Sequence, residues 1–558
     1  MVRKFLGFLY RETSSLNQAA FLLGLFAFLS QLLAFLRDRL LAHIFGASTE
    51  LDIYYAAFRI PDFIFISVAS VVSLSVLIPF ILEKDKEGKE ELKKFIDSVF
   101  SFFWVLIIAA SALAYFLMPL VCSLLFKGFS SDALEQVVLI SRFLLLSPII
   151  LGLSNLFGSI TQAFQRFTLY AAAPLLYNAG IILGIIFLAE RMGVFGVAIG
   201  VVAGAALHAV IQIPFVVSTG LMPRFSLSFD RALIKKVAKI SVPRTITLAM
   251  SSIALLFLVA FASLMEEGSV SILSFAFNLS SAPLSLIGVS YSLAAFPTLT
   301  RRFQENNIVA FVEQMAISTR FIVFWSLPLS ALLIVERAQV VRVLLGTGLF
   351  DWPATRLTAA GLALFVFSST FQSLLLLFMR GFYSAGVTMK PFFINLFSTL
   401  LLGASAYLLV EGFYASELFR FFVSSLMKVE DLPNTVVLML PVAFSIGMVA
   451  NSIILWVVFE RQFGGFTARV SRTVFQSFGT SIIMGAVTYL GLNFFERFFN
   501  TETLTGLFLQ GFCAGMVGIA AGIFLLILLR SEELSSVWKT LSGKFWKTEI
   551  IATDPEIV

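Results

Sequence analysis

Charged side chains that interrupt long apolar runs are the residues of this chain whose chemistry most needs an explanation. Arg37-Asp38-Arg39 closes the first run, Asp52 opens the second, and Arg59 and Asp62 flank Pro61 within it. Arg142 lies in the fourth run, Arg244 follows Pro243 early in the seventh, Arg320 stands in the ninth, and Arg380 ends the tenth. An ionisable group inside hydrocarbon costs at least a few kcal/mol, so each is a functional candidate. Guanidinium groups there suit an anionic ligand, because their planar fork of N–H donors engages phosphate oxygens in pairs. A purely structural reading stands beside this one. In it Arg37, Arg39 and Asp52 reach the outer interface, Arg380 reaches the inner one, and Arg59 pairs with Asp62 at a proline-distorted turn.

Other chemistry is missing. No GxxxxGK[ST] loop occurs, so no nucleotide-driven motor is expected. Neither HExxH nor GxSxG occurs, nor a paired-cysteine motif, and no catalytic residue is assigned. His43 and His208 are the only histidines, which excludes a histidine-rich metal site. Cys122 and Cys513 read as small buried hydrophobes. The expectation is a protein that is not an enzyme and has no metal or cofactor. Its energy would come from a coupling ion such as Na+ or H+, or from the membrane potential.

The elements that must hold these charges are membrane helices. The 558 residues are 59% hydrophobic and 13% charged, with a mean hydropathy of +0.96, whereas a soluble surface needs about one quarter charged residues. The runs are long and continuous rather than short and alternating, which selects helices over a β-barrel. About fourteen spans meet the 20-residue criterion. They fall near 17–37, 53–82, 97–125, 134–163, 168–189, 194–217, 239–264, 270–297, 315–335, 357–382, 391–412, 434–458, 474–495 and 505–529. Most Lys and Arg then fall on the side holding both termini, so the positive-inside rule makes both termini cytoplasmic. The net charge of +6 reports these basic loops, with no nucleic acid implied. Met1–Ser15 has no signal-peptide pattern.

Six segments follow: a cytoplasmic segment 1–16, an N-lobe 17–217, an amphipathic cytoplasmic linker 218–238, a C-lobe 239–459, two further spans within 460–530, and a cytoplasmic tail 531–558. The lobes carry an internal repeat. Asp52–Pro79 can be laid on Ser271–Pro297 with one residue of slippage, placing Ala57-Phe58-Arg59-Ile60 on Ala276-Phe277-Asn278-Leu279. Repeats around a substrate cavity are common in transporters.

Several of these residues occur in an order that resembles a known family. They are Phe35-Leu36-Arg37-Asp38, Ile44-Phe45-Gly46-Ala47-Ser48, Asp52 and Ala57-Phe58-Arg59-Ile60-Pro61. Then come Gln165-Arg166-Phe167, Ala173-Pro174, Asn178, Gly196-Val197-Ala198 and Gln212-Ile213-Pro214. Gly268-Ser269-Val270-Ser271, Pro283, Gly288-Val289, Pro297-Thr298-Leu299, Gly346-Thr347-Gly348-Leu349-Phe350, Gly381-Phe382-Tyr383-Ser384 and Lys390-Pro391 complete the set. Together they resemble the MurJ (MviN) lipid II flippases of the multidrug/oligosaccharidyl-lipid/polysaccharide exporter superfamily. Departures are visible: Gln31, Phe65, Ile66 and Asn278 stand where that family places arginines, Ser70 where it places glutamate, and Phe277 where it places aspartate.

The resemblance implies an all-α polytopic membrane protein, with two pseudo-related lobes around a central cavity and two added C-terminal helices. It implies a flippase that carries lipid II, a polyprenyl-pyrophosphate-linked sugar, across the bacterial inner membrane by alternating access. Membrane lipids and the cell-wall synthesis machinery would be its partners. The cavity candidates are Arg37, Asp38, Asp52, Arg59, Asp62, Arg142, Arg244, Asn278 and Arg380. The missing arginines leave three alternatives: an exporter of another polyprenyl-linked saccharide, a cation-coupled drug exporter, or a non-transporting membrane scaffold.

Overall fold

The computed structural model describes residues 16–69, 74–226 and 249–542. Arg244, Ser70, much of the expected 218–238 linker and the end of the tail lie outside the described residues. Within them every regular element is a helix.

The first half begins with α1 (Leu16–Phe45), α2 (Thr49–Ile64), α3 (Leu74–Glu87), α4 (Lys89–Leu125), α5 (Ser131–Leu144) and α6 (Leu146–Ala163). It continues through α7 (Phe167–Val210) and α8 (Ile213–Ser218) to α9 (Ala249–Ala262). Then follow α10 (Ser269–Pro283), α11 (Ser290–Gln304), α12 (Ile308–Val335), α13 (Arg337–Leu345), α14 (Trp352–Phe367) and α15 (Ser369–Ser384). The chain ends with α16 (Met389–Ala415), α17 (Glu417–Met427), α18 (Met439–Phe463), α19 (Phe466–Phe495), α20 (Leu504–Leu528) and α21 (Glu532–Ser542). Side-chain oxygens start many of them. Ser48, Ser130, Asn307, Asp351 and Thr503 each accept a backbone N–H of the first turn, answering donors that a helix cannot pair internally.

Among the described residues, ten helical stretches are long and apolar enough to cross a membrane. The 52-residue stretch Phe167–Ser218 holds two expected spans. α1, the α2–α3 pair and α9 lie at the expected first, second and seventh. Large apolar side chains such as Phe116, 76% exposed, cover the outside, which suits lipid and not water.

The repeat has a structural counterpart. α2 carries Pro61 and widens into a π turn at Phe65–Ala69, while α10 ends at Pro283 and widens into one at Leu284–Val289. The two π turns start at positions that the sequence superposition makes equivalent. Such turns re-aim side chains within a helix and recur at functional sites.

Two compact units are distinguished: Met1–Ala282 with Val341–Ser368 and Gly386–Ile454, and Pro283–Val340 with Ser369–Ala385 and Leu455–Val558. In the first, Phe277, Phe365 and Phe444 form an edge-to-face triad with centroids 5.2–5.7 Å apart. In the second, Trp456 and Phe459 pack on Phe466 at 5.0 and 5.2 Å. Each such pair contributes about 0.5–1.5 kcal/mol beyond its buried area.

Small residues let the two halves of α7 approach each other closely. α7 turns at Gly193, whose φ of 56° an L side chain rarely adopts, and its halves fold together. A Cβ on Gly184 would lie 2.5 Å from Gly200 Cα, and one on Gly180 would lie 2.3 Å from Gly204 Cα. In lipid, where apolar burial drives helix association weakly, this backbone approach supplies the dispersion contact. Gly200→Leu is therefore expected to destabilise the protein by about 3 kcal/mol through overpacking. Gly403→Leu, at a position with no atom near its Cβ, should leave thermal unfolding in detergent unchanged. Equal midpoints for the two variants would refute the account.

Candidate functional site

Adjacent helical residues point about 100° apart, and this divergence splits Arg37 and Asp38 between different helices. Arg37 donates from Nε and Nη2 to Asp38 Oδ1 at 2.9 and 2.7 Å, and from Nη1 to Asn178 Oδ1 on α7 at 3.3 Å. Asn178 Nδ2 donates to Ser30 Oγ at 3.3 Å. Ser30 lies two helical turns before Arg37 on the same face of α1, so one amide on α7 spans both. The other carboxylate oxygen of Asp38 accepts from Asn278 Nδ2 on α10 at 3.1 Å. A polar chain thus runs from Ser30 through Asn178, Arg37 and Asp38 to Asn278. Asp38 is 2% exposed, so its charge depends on these partners.

One turn before Asn278, Ser274 Oγ accepts from Arg59 Nη2 of α2 at 3.4 Å. Arg59 Nε is buried and has no acceptor. The Arg59–Asp62 pairing of the structural reading is not made. Asp62 is close enough to offset the charge of Arg59, yet it has no hydrogen-bond partner among the described residues and is exposed. Tyr54, Tyr55 and Tyr177 lie within electrostatic reach of Arg37. Two arginines and two aspartates give the cluster balanced charge. Arg59 holds most of the unused donors.

Asp52 has a different task. Its Oδ2 accepts Gly268 N–H at 2.8 Å, and its Oδ1 accepts Ser271 N–H at 2.7 Å and Ser271 Oγ–H at 2.5 Å. A carboxylate of α2 thus caps the N-terminus of α10, pairing orphan donors and meeting the positive end of the dipole. Thr49 N–H donates to Glu267 Oε1 at 3.0 Å in return, and the hydrogen bonds from Thr49 hold the Glu267 carboxyl below its ordinary range. The end of α1 joins the same junction. Leu349 N–H donates to His43 O at 3.0 Å, and a Cβ on Gly46 would lie 2.6 Å from Leu349 O.

The remaining candidates lie elsewhere. Arg39 does not reach outward alone; its Nη1 donates to the carbonyls of Val343 and Leu344 at the end of α13, at 2.5 and 3.3 Å. Arg142 donates from Nε to Tyr115 O at 3.0 Å and stacks on the Tyr115 ring at 4.5 Å. Arg380 is half-buried near the end of α15, in the second unit, and Arg244 lies outside the described residues. Sequence reasoning did not assign Ser30, Asn178 or Ser274 to the site. A polar amide inside the apolar run of α7 was the available signal for Asn178. Nothing local marked the serines.

The model of the family described as lipid II flippase MurJ matches residues 41–509. The chain belongs to that family. A probable lipid II flippase MurJ of Buchnera aphidicola subsp. Schizaphis graminum is 26% identical over 387 residues, 68% of this chain and 75% of that protein. The lipid II flippase MurJ of Burkholderia cenocepacia is 25% identical over 372 residues, 64% of this chain and 71% of that one. Among solved structures, a lipid II flippase MurJ in an inward closed conformation superposes with a TM-score of 0.70 at 20% identity, covering 93% of this chain and 100% of that one. An inward-facing multidrug resistance MATE family transporter, described as of the MOP superfamily, gives 0.62 at 16% identity and covers 78% and 96%. The fold is that of this superfamily, and the protein is a multi-pass membrane protein. Asn278 supplies a neutral donor to Asp38. Phe277 beside it joins the aromatic triad.

Proposed function

We propose that this chain flips lipid II, a polyprenyl-pyrophosphate-linked sugar, from the cytoplasmic to the outer leaflet of the inner membrane. Membership of the family supports this reading, and the observation that carries it is Arg59. Its guanidinium stands among apolar helices with Nε unsatisfied and only a long bond to Ser274. A pyrophosphate oxygen would complete it, and charge-assisted bonds of this kind are the strong ones. Arg37, tied to Asp38 and Asn178, would present its remaining edge to the same anion. The polyprenyl tail would stay in lipid while the protein alternates its access. An ion gradient or the membrane potential would drive the cycle, and the excess of basic residues on one side supports cytoplasmic termini. Catalysis has no part in this reading.

The test is expression in bacteria whose own lipid II flippase can be shut off, with membrane insertion confirmed by immunoblot. Lipid II reaching the outer leaflet is then measured. The wild-type chain should restore accessibility, and Arg59→Ala should lower the rate at least tenfold, since a charged hydrogen bond contributes about 1.5–3 kcal/mol. Failure of a well-expressed wild-type chain would move the substrate to another polyprenyl-linked saccharide. Full activity of the variant would remove Arg59 from the site.

A further inference from the structure

The C-terminal elbow carries a second feature that the translocation site does not use. α20 ends with Arg530 in the left-handed region, φ 52°, after which Ser531 caps α21 by accepting Leu534 N–H at 3.4 Å. Glu533 of α21 turns toward the bundle, while Glu532 pairs at its edge. Glu533 is 4% exposed; its Oε1 accepts from Thr473 Oγ–H at 2.8 Å and its Oε2 from Ser531 Oγ–H at 3.0 Å. Arg320 Nε lies 3.6 Å from Glu533, and Arg320 and Arg472 lie 3.4 and 3.6 Å from Glu532. These contacts neutralise the acids and lock α21 at an angle to α20.

The opposite side of α21 faces a groove of about 440 Å³. Its wall is largely apolar, with Leu526, Ile527 and Leu534, and Arg530, Trp538 and Lys539 line it as well. Trp538 is 70% exposed. An apolar groove that also carries cationic and indole side chains complements a lipid: acyl chain along the apolar wall, phosphate at a basic side chain, indole at the interface.

We propose that the groove between α20 and α21 is a binding site for an anionic phospholipid of the surrounding membrane. Segregated charge decides the sign of the ligand. The carboxylates of α21 pair with basic residues of α12 and α19, and Arg530 and Lys539 line the groove. The site requires no flipping and stands apart from the reading of Arg59.

The test uses the purified full-length chain in detergent, titrated with phosphatidylglycerol brominated on its acyl chains. The quenched signal of Trp538 is obtained as the difference between the wild type and Trp538→Phe. Quenching should saturate with phosphatidylglycerol. The affinity should fall about 30-fold in the Arg530→Gln/Lys539→Gln double variant, given about fivefold per basic residue near a lipid surface. Brominated phosphatidylcholine should quench at least tenfold more weakly. Equal affinity for the two lipids would overturn the proposal, as would an unchanged double variant. Displacement by a polyprenyl phosphate in preference to phosphatidylglycerol would overturn it as well, making the groove a tail site. Thermal unfolding of the double variant without lipid should match the wild type, which separates lost binding from lost folding.

Discussion

Arg37→Ala should destabilise the protein by about 3–5 kcal/mol and abolish lipid II accessibility, because it leaves a buried carboxylate without its cation. Asp38 is 2% exposed, and its Oδ1 receives two of the Arg37 donors. After the substitution only Asn278 would still donate to it. The double variant Arg37→Gln/Asp38→Asn separates structure from function. It removes both charges while keeping amides that can bond to Asn178 and Asn278, so its unfolding midpoint in detergent should return close to that of the wild type. Transport should stay lost, since the cluster would have only Arg59 to meet a pyrophosphate. Recovery of transport in the neutral pair would mean that Arg37 serves the fold alone. If Arg37→Ala unfolds at the wild-type midpoint, Asp38 is not the buried charge that its contacts imply.

Asp52→Ala should be the second large effect, and a structural one. Its side chain answers two backbone N–H groups and one hydroxyl at the start of α10. Leaving buried donors unpaired costs about 1–3 kcal/mol each, so a loss of roughly 3 kcal/mol is expected. Thermal unfolding should show it, and hydrogen exchange at the first turn of α10 should accelerate. Asp52→Asn should fall between, since an amide oxygen still accepts but carries no charge for the dipole. Unchanged exchange at Ser271 in Asp52→Ala would refute the capping role. The contrast with Arg59→Ala is informative. Arg59 has one long hydrogen bond to lose, so its removal should spare the fold and strike transport.

Apolar length and scarcity of charge are properties of consecutive residues. For that reason the amino-acid sequence by itself determined the helical membrane class, the placing of the spans and the repeat that puts a π turn in both α2 and α10. It also singled out Arg37, Asp38 and Arg59, because a charged group in an apolar run stands out without any partner in view, whereas Asn278 entered only through the repeat and the family resemblance. What each charge does was decided by tertiary structure. Asp52 and Asp38 look alike in the chain, yet one caps a helix start at Gly268 and Ser271 and the other anchors an arginine. Arg59 has Asp62 three residues away, but it bonds to Ser274 on another helix, more than 200 positions along. Arg142 turns to Tyr115, away from any other charge in the cluster. The physical reason is the same in each case. Inside a membrane a polar group must find its partner within the protein, and the helices that supply partners are neighbours in space whose separation along the chain carries no local signal.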